Sequence, residues 1–440
     1  MHIPVAEVAR FLGATGPELH SDVIASGVSC DSRDIAPGAL FVAMKAERDG
    51  HEFAKVAVDN GAGAVLVSRL IDDLSVVQIL VDDTAMALTQ LGRWARSRVS
   101  SQVGSRVIGI TGSVGKTSTK DFIAAGLRAR FSTGASEKSL NNDQGVPVTL
   151  LNAPDDVEAL VLEMGMRGFG EIARLAELVR PHIGVVTTVG EAHSERVGGI
   201  EGVAQAKSEL VRALQQGDFA ILNADDHRIL AMSALTQATS FSFGLASDAD
   251  MRITEHRVNS EGLSSFSYES QWGGGSCSLS VPGQHMVSNA ASALLVCALC
   301  NVNLDDAAIA IGRSAMSPMR MAMHNLPNGV LIDDSYNASP TSVIAALRTL
   351  ASLEADHRVA VLGVMAEIDQ PETRHLDVAK EAERLGIELV AYNTPLYGVS
   401  SLATYEAVAE FLGHQKVRTA MLVKGSRVAG LDAVARLLVG

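Results

Sequence analysis

The chain has 440 residues, of which 47% are hydrophobic and 20% are charged, and its formal net charge is −14 at pH 7. This composition excludes a disordered or fibrous protein. The acidic balance argues against binding to duplex nucleic acid, because such affinity comes mainly from Lys and Arg side chains that neutralise phosphates. At ~150 residues per domain, we expect about three domains.

The first segment, residues 1–100, begins without the basic and apolar regions of a signal peptide, and no apolar run of the chain approaches the ~20 residues needed to span a bilayer. We therefore expect a cytoplasmic protein. Short helical and strand patterns end with an apolar stretch at 62–68 and a helix from Met86 to Arg98. The polar stretch 99–105 lacks either periodicity and is interpreted as a linker.

The second segment, residues 101–313, alternates apolar runs with helical patterns, which predicts crossover units and a parallel sheet. Residues 238–281 are rich in Ser, Gly and alternating apolar positions, which predicts an antiparallel excursion at the edge of this sheet. The four predicted strands are Arg106–Thr111, Ala159–Glu163, Ile183–Thr188 and Phe219–Asn223.

The third segment, residues 314–440, has the same alternation and is interpreted as a second doubly wound block. We therefore predict an α/β protein with domains at 1–100, 101–313 and 314–440. The predicted strands of the third segment are Val330–Asp333, Arg358–Gly363, Glu388–Tyr392 and Ala420–Val423.

Two of the four cysteines, Cys297 and Cys300, form a CxxC pair within an apolar helical pattern. Small apolar thiols are usually buried, so we interpret the pair as part of a helix in the core. No second pair completes a zinc site.

A glycine loop follows the first predicted strand of the second segment and leads into a helical pattern. This order places several backbone N–H groups and a helix N-terminus around one point, which favours a phosphate. Lys116 would contact the outer phosphates, and the Thr117 hydroxyl would ligate Mg²⁺. Ile110 stands where the general motif has its first glycine, so an ordinary glycine turn is the alternative. The loop comprises Thr111, Gly112, Ser113, Val114, Gly115, Lys116 and Thr117.

Two later strands end beside candidate metal ligands. Glu163 closes one strand and His193 follows another, and both positions lie at the carboxyl ends of parallel strands, where such sheets bind ligands. A carboxylate and a neutral imidazole could reach the metal there. A solvated Glu and a surface His are the alternatives, and Lys207, on a predicted helix, would alone be a solvated lysine.

Several separated segments, taken together and in order, resemble the Mur ligase family, the ATP-dependent amino-acid ligases of peptidoglycan synthesis, over essentially the whole chain. The resemblance implies a three-domain architecture: an N-terminal domain for the UDP end of the substrate, a central P-loop-type parallel-sheet ATPase domain, and a C-terminal Rossmann-like domain that receives the incoming amino compound. The segments that carry it are 111–117, 139–147, 162–165, 190–193, 206–209, 283–289 and 333–340.

Within the family, the segments are most similar to the enzymes that join D-alanyl-D-alanine to UDP-N-acetylmuramoyl-tripeptide. The resemblance implies that the substrate carboxylate attacks the γ-phosphate of ATP to give an acyl phosphate, and that the amine then displaces phosphate to give the pentapeptide. Such chemistry needs charge neutralisation and alignment, which fits Lys116 together with Mg²⁺ held by Thr117, Glu163 and His193. Lys207 matches a lysine that is carbamylated in several members, where it supports a second Mg²⁺.

The resemblance also implies residues that surround the nucleotide and the substrates. Taken alone, Asn289 fits helix packing, Tyr336 and Asn337 fit a turn, and Ser426 fits a helix cap. The implied nucleotide-binding residues outside the glycine loop are Asn142, His285, Asn289, Arg320, Asp334, Tyr336 and Asn337. The implied substrate-binding residues are Ser32, Arg33, Lys424, Ser426 and Arg427.

Two departures from the subfamily concern acceptor choice: Val364 replaces a usual acidic residue, and Asp369 replaces a common glycine. One alternative is the family member that adds the third amino acid, although its Asp-Asn-Pro-Arg signature is absent. Folylpolyglutamate synthases are another alternative, but those enzymes lack a dedicated UDP-binding domain. A noncatalytic ATP-binding relative is a further alternative, although it would have no chemical need for the catalytic set. We expect a monomer that acts on UDP-N-acetylmuramoyl-tripeptide and D-alanyl-D-alanine and that binds neither nucleic acid nor a membrane.

Overall fold

The structure is a computed structural model. It describes residues 1–17, 19, 22–137, 140–192, 194–259, 261–415 and 417–439. The chain forms two compact units, one of residues 1–109, 131–165 and 173–182, and one of residues 110–130, 166–172 and 183–440.

The elements up to residue 182 begin with short strands and helices and then enter a larger sheet. In chain order they are β1 (His2–Pro4), α1 (Val5–Leu12), β2 (Ile24–Ser26), β3 (Val28–Ser29), β4 (Leu40–Val42), α2 (Ala54–Asp59), β5 (Ala64–Val67), β6 (Val77–Leu80), α3 (Thr84–Arg98), α4 (Ser100–Val103), β7 (Val107–Thr111), α5 (Lys116–Arg128), β8 (Thr133–Ala135), α6 (Gly145–Leu151), β9 (Ala159–Glu163) and α7 (Glu171–Val179).

The remaining elements complete that sheet and form another. They are β10 (Ile183–Val186), α8 (Ser194–Val197), α9 (Ile200–Ala213), β11 (Phe219–Asn223), α10 (His227–Leu230), β12 (Thr239–Gly244), β13 (Met251–Val258), β14 (Ser264–Ser270), β15 (Gly273–Ser278), α11 (Gln284–Leu299), α12 (Leu304–Gly312), β16 (Ala322–Leu326), β17 (Gly329–Asp333), α13 (Pro340–Ser352), β18 (His357–Leu362), α14 (Pro371–Arg384), β19 (Glu388–Tyr392), β20 (Ser401–Leu402), α15 (Tyr405–Gly413), β21 (Thr419–Lys424) and α16 (Asp432–Val439). Within the described residues, 3₁₀ turns cover Gly50–Phe53, Ala231–Leu235 and Arg427–Ala429.

The first unit contains a parallel sheet in the order β3-β4-β5-β6, beside an antiparallel pair of β1 and β2. Every residue of β4 and β5 is buried, as expected for parallel strands that are covered on both faces. The predicted helix that ends at Arg98 is confirmed as α3. Asp83 precedes the helix, and its carboxylate accepts the N–H groups of Ala85 and Met86 and so caps the helix.

One short helix lies within the stretch that the sequence analysis interprets as a linker. Within residues 99–105, Ser100–Val103 form α4, which ends at Gly104 in a positive-φ conformation. A single helical turn is shorter than one full repeat of an amphipathic pattern, so periodicity could not reveal it.

The larger sheet has nine strands in the order β15-β14-β13-β12-β11-β10-β7-β9-β8. All four strands predicted for residues 101–313 are present, with boundaries that agree within two residues. The predicted antiparallel excursion is confirmed for β13, β14 and β15, which pair antiparallel. It is wrong for β12, which pairs parallel with β11 and β13, because the helical residues 227–235 form a crossover before it.

The sheet of the C-terminal segment has the order β16-β17-β21-β18-β19-β20 and lies in the second unit. Its strands pair parallel except for β16, an antiparallel edge strand that periodicity did not predict. The core on one side of this sheet includes Val361, Met421 and Val434. The loops after β18 and β21 therefore lie at the carboxyl edge of adjacent strands, where parallel sheets bind ligands.

Helix α11 confirms the interpretation of the CxxC pair as core. Cys297 and Cys300 are both buried. None of the helices within the described residues is long and apolar enough to cross a membrane.

Candidate active site

The glycine loop connects the buried strand β7 to α5, which begins at Lys116. Gly112 and Gly115 have φ values of 153° and 88°, which disfavour any residue with a side chain. Neighbouring atoms also exclude a side chain at both positions. A Cβ atom on Gly112 would collide with the Thr187 hydroxyl, and a Cβ atom on Gly115 would lie 2.6 Å from Oδ1 of Asn289.

Hydrogen bonds from the segment after β10 fix the middle of this loop. The Ser113 hydroxyl donates to the carbonyl of Gly190 at 3.0 Å, and the Gly190 N–H donates back to that hydroxyl at 2.9 Å. The Val114 N–H donates to the Thr188 hydroxyl at 2.8 Å, while the Thr187 hydroxyl donates to the Val114 carbonyl at 2.6 Å. The loop is thus held in one conformation before any ligand binds.

The first turn of α5 gathers three of the predicted nucleotide-binding residues. The Lys116 ammonium donates to the Gly112 carbonyl at 2.7 Å, so it lies across the loop. Thr117 is buried, and its hydroxyl accepts a hydrogen bond of 3.0 Å from Arg320. The Arg320 guanidinium stacks 4.0 Å from the ring centroid of Tyr336, which orients it.

A buried ion pair joins Lys424, a predicted substrate-binding residue, to Asp334, a predicted nucleotide-binding residue. The Lys424 ammonium lies 2.5 Å from the Asp334 carboxylate, and the two side chains are only 3% and 13% exposed. Lys424 also donates to the carbonyl of Asn337 at 2.8 Å. Burial lowers the pKa of His285 to about 4, although the charge of Asp334 acts to raise that pKa and the charge of Lys424 acts to lower it further. His285 is therefore neutral and close to this ion pair.

Glu163 and Asn142 lie in the first unit. The Glu163 side chain is buried at the carboxyl end of β9 and accepts a 2.8 Å hydrogen bond from the Asn141 amide. The Asn142 side chain accepts the N–H of Gly145 at 2.8 Å, so Asn142 stabilises the start of α6.

Lys207 is buried in α9, which contradicts the alternative of a solvated lysine. Burial lowers the pKa of this amine well below its usual value, and the charge of Lys116 lowers it further. His193 lies outside the described residues. Within the described part of the chain, which omits His193, no group of three or more His, Cys, Asp or Glu residues could hold a metal ion.

Ser426 and Arg427 follow β21. The Ser426 hydroxyl donates to the Ala338 carbonyl at 3.2 Å and accepts the Ala366 N–H at 2.8 Å. Ser426 stands at the N-cap position of the 3₁₀ turn Arg427–Ala429, but its side chain makes no capping hydrogen bond there. Arg427 is largely exposed and forms an ion pair of 3.3 Å with Asp432.

Comparisons with known proteins agree with this geometry. Family models for the Mur ligase family catalytic domain, the Mur ligase middle domain and the Mur ligase glutamate ligase domain match residues 25–92, 110–297 and 319–429. The UDP-N-acetylmuramoyl-tripeptide–D-alanyl-D-alanine ligase of Escherichia coli (strain K12) is 35% identical over 435 residues, which cover 95% of this chain and 94% of that protein.

The chain belongs to the Mur ligase family.

Solved structures show the same three-domain Mur ligase fold. MurF from Acinetobacter baumannii is 28% identical, with a TM-score of 0.87 and coverage of 100% of this chain and 99% of that one. MurF ligase from Thermotoga maritima, solved in complex with ADP, is 24% identical, with a TM-score of 0.80 and coverage of 94% and 97%. The predicted α/β architecture of this Mur ligase is confirmed.

The two substrate residues predicted in the N-terminal segment of the ligase lie in a turn of the first unit. Ser32 is buried, and its carbonyl accepts a 2.8 Å hydrogen bond from Asn60. Arg33 is exposed, and its guanidinium lies 2.8 Å from the Asp31 carboxylate, which also accepts the Arg33 N–H. The turn expected from Asp-Ser-Arg alone is therefore present.

Sequence reasoning missed a second attachment of α5 in this Mur ligase. The Asp121 carboxylate accepts the Ser317 N–H at 2.9 Å, one helical turn after Thr117 receives Arg320. Helix α5 therefore holds residues 317–320 at two points. The spacing of four residues between Thr117 and Asp121 places both on one face of the helix, which is the signal that could have indicated it.

Proposed function

We propose that this Mur ligase joins D-alanyl-D-alanine to UDP-N-acetylmuramoyl-tripeptide, with ATP as the phosphoryl donor. The relative from E. coli carries that activity in its name and aligns over nearly the whole chain, and the T. maritima relative was solved with ADP. The observation that carries the proposal is the glycine loop, which Gly112 and Gly115 shape into a cradle with the start of α5.

The proposed reaction has two steps. The terminal carboxylate of the tripeptide attacks the γ-phosphorus of ATP, so that a new O–P bond forms, the bond to ADP breaks, and an acyl phosphate results. The amine of D-alanyl-D-alanine then attacks the acyl carbon, loses a proton and expels phosphate, which leaves an amide. Lys116 exchanges its hydrogen bond to the Gly112 carbonyl for the outer phosphates, whose charge it neutralises.

The residues present fit Mg²⁺. A hydroxyl and a buried carboxylate are oxygen donors, which this hard cation prefers, and a cation would neutralise the buried Glu163. We propose that Thr117, Glu163 and His193 hold the ion. Bound there, Mg²⁺ supplies charge neutralisation for the phosphates during transfer.

Lys207 is proposed to carry a carbamate. Burial lowers the pKa of its amine, which favours the neutral form, whose lone pair can attack CO₂. The amine nitrogen bonds to the carbon of CO₂ and loses a proton, which converts the neutral buried amine into an anionic carbamate that would ligate metal. The carbamate attracts the Lys116 cation, whereas a protonated Lys207 would be repelled by it.

We also propose that residues 1–100, 101–313 and 314–440 are the three functional domains, with the UDP end of the substrate near Ser32 and Arg33. Each family-model match falls within one of these segments. Both proposed peptide substrates are water-soluble, which supports a cytoplasmic enzyme, and we propose that it acts as a monomer.

Phosphate release tests the proposal. The purified enzyme, ATP and Mg²⁺ are combined with UDP-N-acetylmuramoyl-tripeptide and either D-alanyl-D-alanine or free amino acids. We expect release with the dipeptide, loss of nearly all turnover in Lys116→Ala, and unchanged turnover in Lys380→Ala, which removes an exposed lysine of α14. Undiminished turnover in Lys116→Ala would reject the phosphate role. Release only with a free amino acid would support third-residue addition, and bound ATP without release would support a noncatalytic relative.

A further inference from the structure

Residues 363–366 (the β18 loop) are the first part of the connection between β18 and α14, and their backbone is joined to the loop after β21. The Gly363 N–H donates to the Lys424 carbonyl at 2.9 Å, and the Ser426 N–H donates to the Val364 carbonyl at 2.9 Å. Because β18 and β21 are adjacent parallel strands, both loops lie at the same carboxyl edge. The β18 loop therefore borders Lys424 and Ser426, which the family resemblance implies as substrate-binding residues.

Two glycines allow these loops to touch directly. A Cβ atom on Gly363 would lie 2.9 Å from the Cβ of Ala429 and 3.5 Å from the Cα of Gly425. A Cβ atom on Gly425 would lie 2.9 Å from a methyl group of Leu431. No side chain fits between the loops, so the position of one loop sets the position of the other.

A buried histidine holds the other side of the β18 loop. His375 of α14 is fully buried, and its Nε2 accepts the Met365 N–H at 2.9 Å. Its Nδ1 lies 2.6 Å from the carbonyl of Pro371, which can only accept, so Nδ1 carries the proton and Nε2 is the acceptor. Burial lowers the pKa of His375, which favours this neutral form, although the nearby Glu372 acts to raise that pKa.

A buried tyrosine completes the support. The ring of Tyr397 packs edge-on against His375, with centroids 4.7 Å apart, and its hydroxyl donates to the Gly363 carbonyl at 2.9 Å. The Met365 N–H and the Gly363 carbonyl are thus both hydrogen-bonded to buried side chains. Met365 is buried, whereas Val364 and Ala366 remain partly exposed at the crevice.

We propose that His375 and Tyr397 are positioning residues that set the β18 loop for the incoming amino compound. The inference rests on the proposed function, because D-alanyl-D-alanine is the acceptor assigned there. Small apolar side chains at 364 and 366 suit the methyl groups of this dipeptide. Neither positioning residue contacts the acceptor; each acts through the backbone of the loop.

Matched substitutions of His375 test the proposal. In His375→Gln, the amide oxygen reaches the former Nε2 position and can still accept the Met365 N–H, whereas His375→Asn keeps a donor for Pro371 but leaves that N–H without an acceptor. We expect His375→Asn to raise the KM for D-alanyl-D-alanine about tenfold and His375→Gln to restore most of it. The KM values for ATP and UDP-muramoyl-tripeptide, and kcat at saturating dipeptide, should stay within about twofold.

Tyr397→Phe and hydrogen exchange separate positioning from folding. Tyr397→Phe keeps the ring contact with His375 and should raise only the dipeptide KM, by a few-fold. Amide exchange at Met365 should accelerate in His375→Asn, recover in His375→Gln and remain unchanged in a control, His414→Asn, at an exposed residue. A loosened loop with an unchanged dipeptide KM, or an equal rise in all three KM values, would overturn the proposal. Absence of ligation by the unmodified enzyme would instead refute the proposed function.

Discussion

The pKa of His285 is lowered to about 4 by burial, which couples the stability of the fold to pH. Below about pH 6.5 the unfolded histidine binds a proton that the folded one does not, so the free energy of unfolding falls as pH falls from 6.5 towards 4. We expect His285 to contribute a loss of about 2 kcal/mol between pH 7 and pH 5.

Urea unfolding at several pH values measures this loss. His285→Gln should flatten the decline relative to the unmodified protein, while His414→Gln, at an exposed residue, should follow the unmodified curve. Parallel curves for all three proteins would show that His285 titrates alike in the folded and unfolded states.

Lys207 provides a second prediction for a single residue. A buried amine with a lowered pKa should capture CO₂, whereas an exposed lysine at pH 8 stays mostly protonated. In the enzyme equilibrated with ¹³C-bicarbonate, we expect one slowly exchanging carbamate carbon signal by NMR. Lys207→Met should lack it, and Lys380→Met should retain it. Persistence of the signal in Lys207→Met would assign the modification elsewhere.

Helices α5 and α11 pack closely where Gly126 faces Cys297. A Cβ atom on Gly126 would lie 2.5 Å from the Cys297 sulfur. Gly126→Ala should improve helix propensity by about 1 kcal/mol but overpack this contact by about 1–3 kcal/mol, with net destabilisation.

A double-mutant cycle checks the contact between these two helices. Cys297→Ala alone leaves a small cavity, but in the Gly126→Ala background it makes room for the new methyl group. We expect an interaction energy of about 1–2 kcal/mol from chemical denaturation. Additive effects of the two substitutions would show that the sulfur and the glycine are not in contact.

The residues of the proposed nucleotide site could be predicted where they are close together in the sequence, but not where they come from distant segments. Gly115, Lys116 and Thr117 are recognised because strand, loop and helix are consecutive in the chain. The Arg320 bond to Thr117 joins residues 203 positions apart, so no periodicity predicts it. Resemblance to a family pointed to Arg320, but only the structure shows which hydroxyl it contacts.

Strands with a continuous apolar pattern were also predicted from sequence, whereas an edge strand was not. Long apolar runs such as β9 and β11 were predicted closely, because burial on both faces leaves a continuous hydrophobic pattern. The edge strand β16 has mixed exposure and no such pattern, and it was missed. Its pairing with β17 is a tertiary property that the residues of the strand do not specify alone.

At the scale of the whole molecule, composition predicted about three domains, but not which segments pack together. Residues 131–165 pack with the N-terminal residues in the first unit. Asn152 illustrates the reason, because its amide group both accepts the N–H and donates to the carbonyl of Val28, at 2.8 Å in each case. One asparagine 124 residues away thus completes the pairing of a short strand, and sequence alone gives no sign of such a contact.

Ligand binding should stabilise the entire second unit if the glycine loop binds nucleotide. At 100 times its Kd, Mg·ADP adds about 2.7 kcal/mol to the free energy of unfolding, which raises Tm. Gly115→Ala should abolish the Tm increase, since its methyl group would meet Asn289.

Gly217→Ala is the matched control for this experiment. Gly217 has a similar φ of 96° but nothing within 4 Å of an added Cβ, so it carries the backbone strain without the collision. It should lower the starting Tm yet retain the increase with Mg·ADP in differential scanning calorimetry. Equal loss of the increase in both variants would assign it to general destabilisation.

The direct contact of Gly363 with Gly425 limits how this enzyme can change its choice of amine. An insertion or deletion in either loop would displace the other loop. A change of loop length is therefore not expected to give a new acceptor specificity. Exchange of a side chain at Val364 leaves the glycine contact intact. Attempts to redesign selectivity should therefore begin with that side chain and keep both glycines.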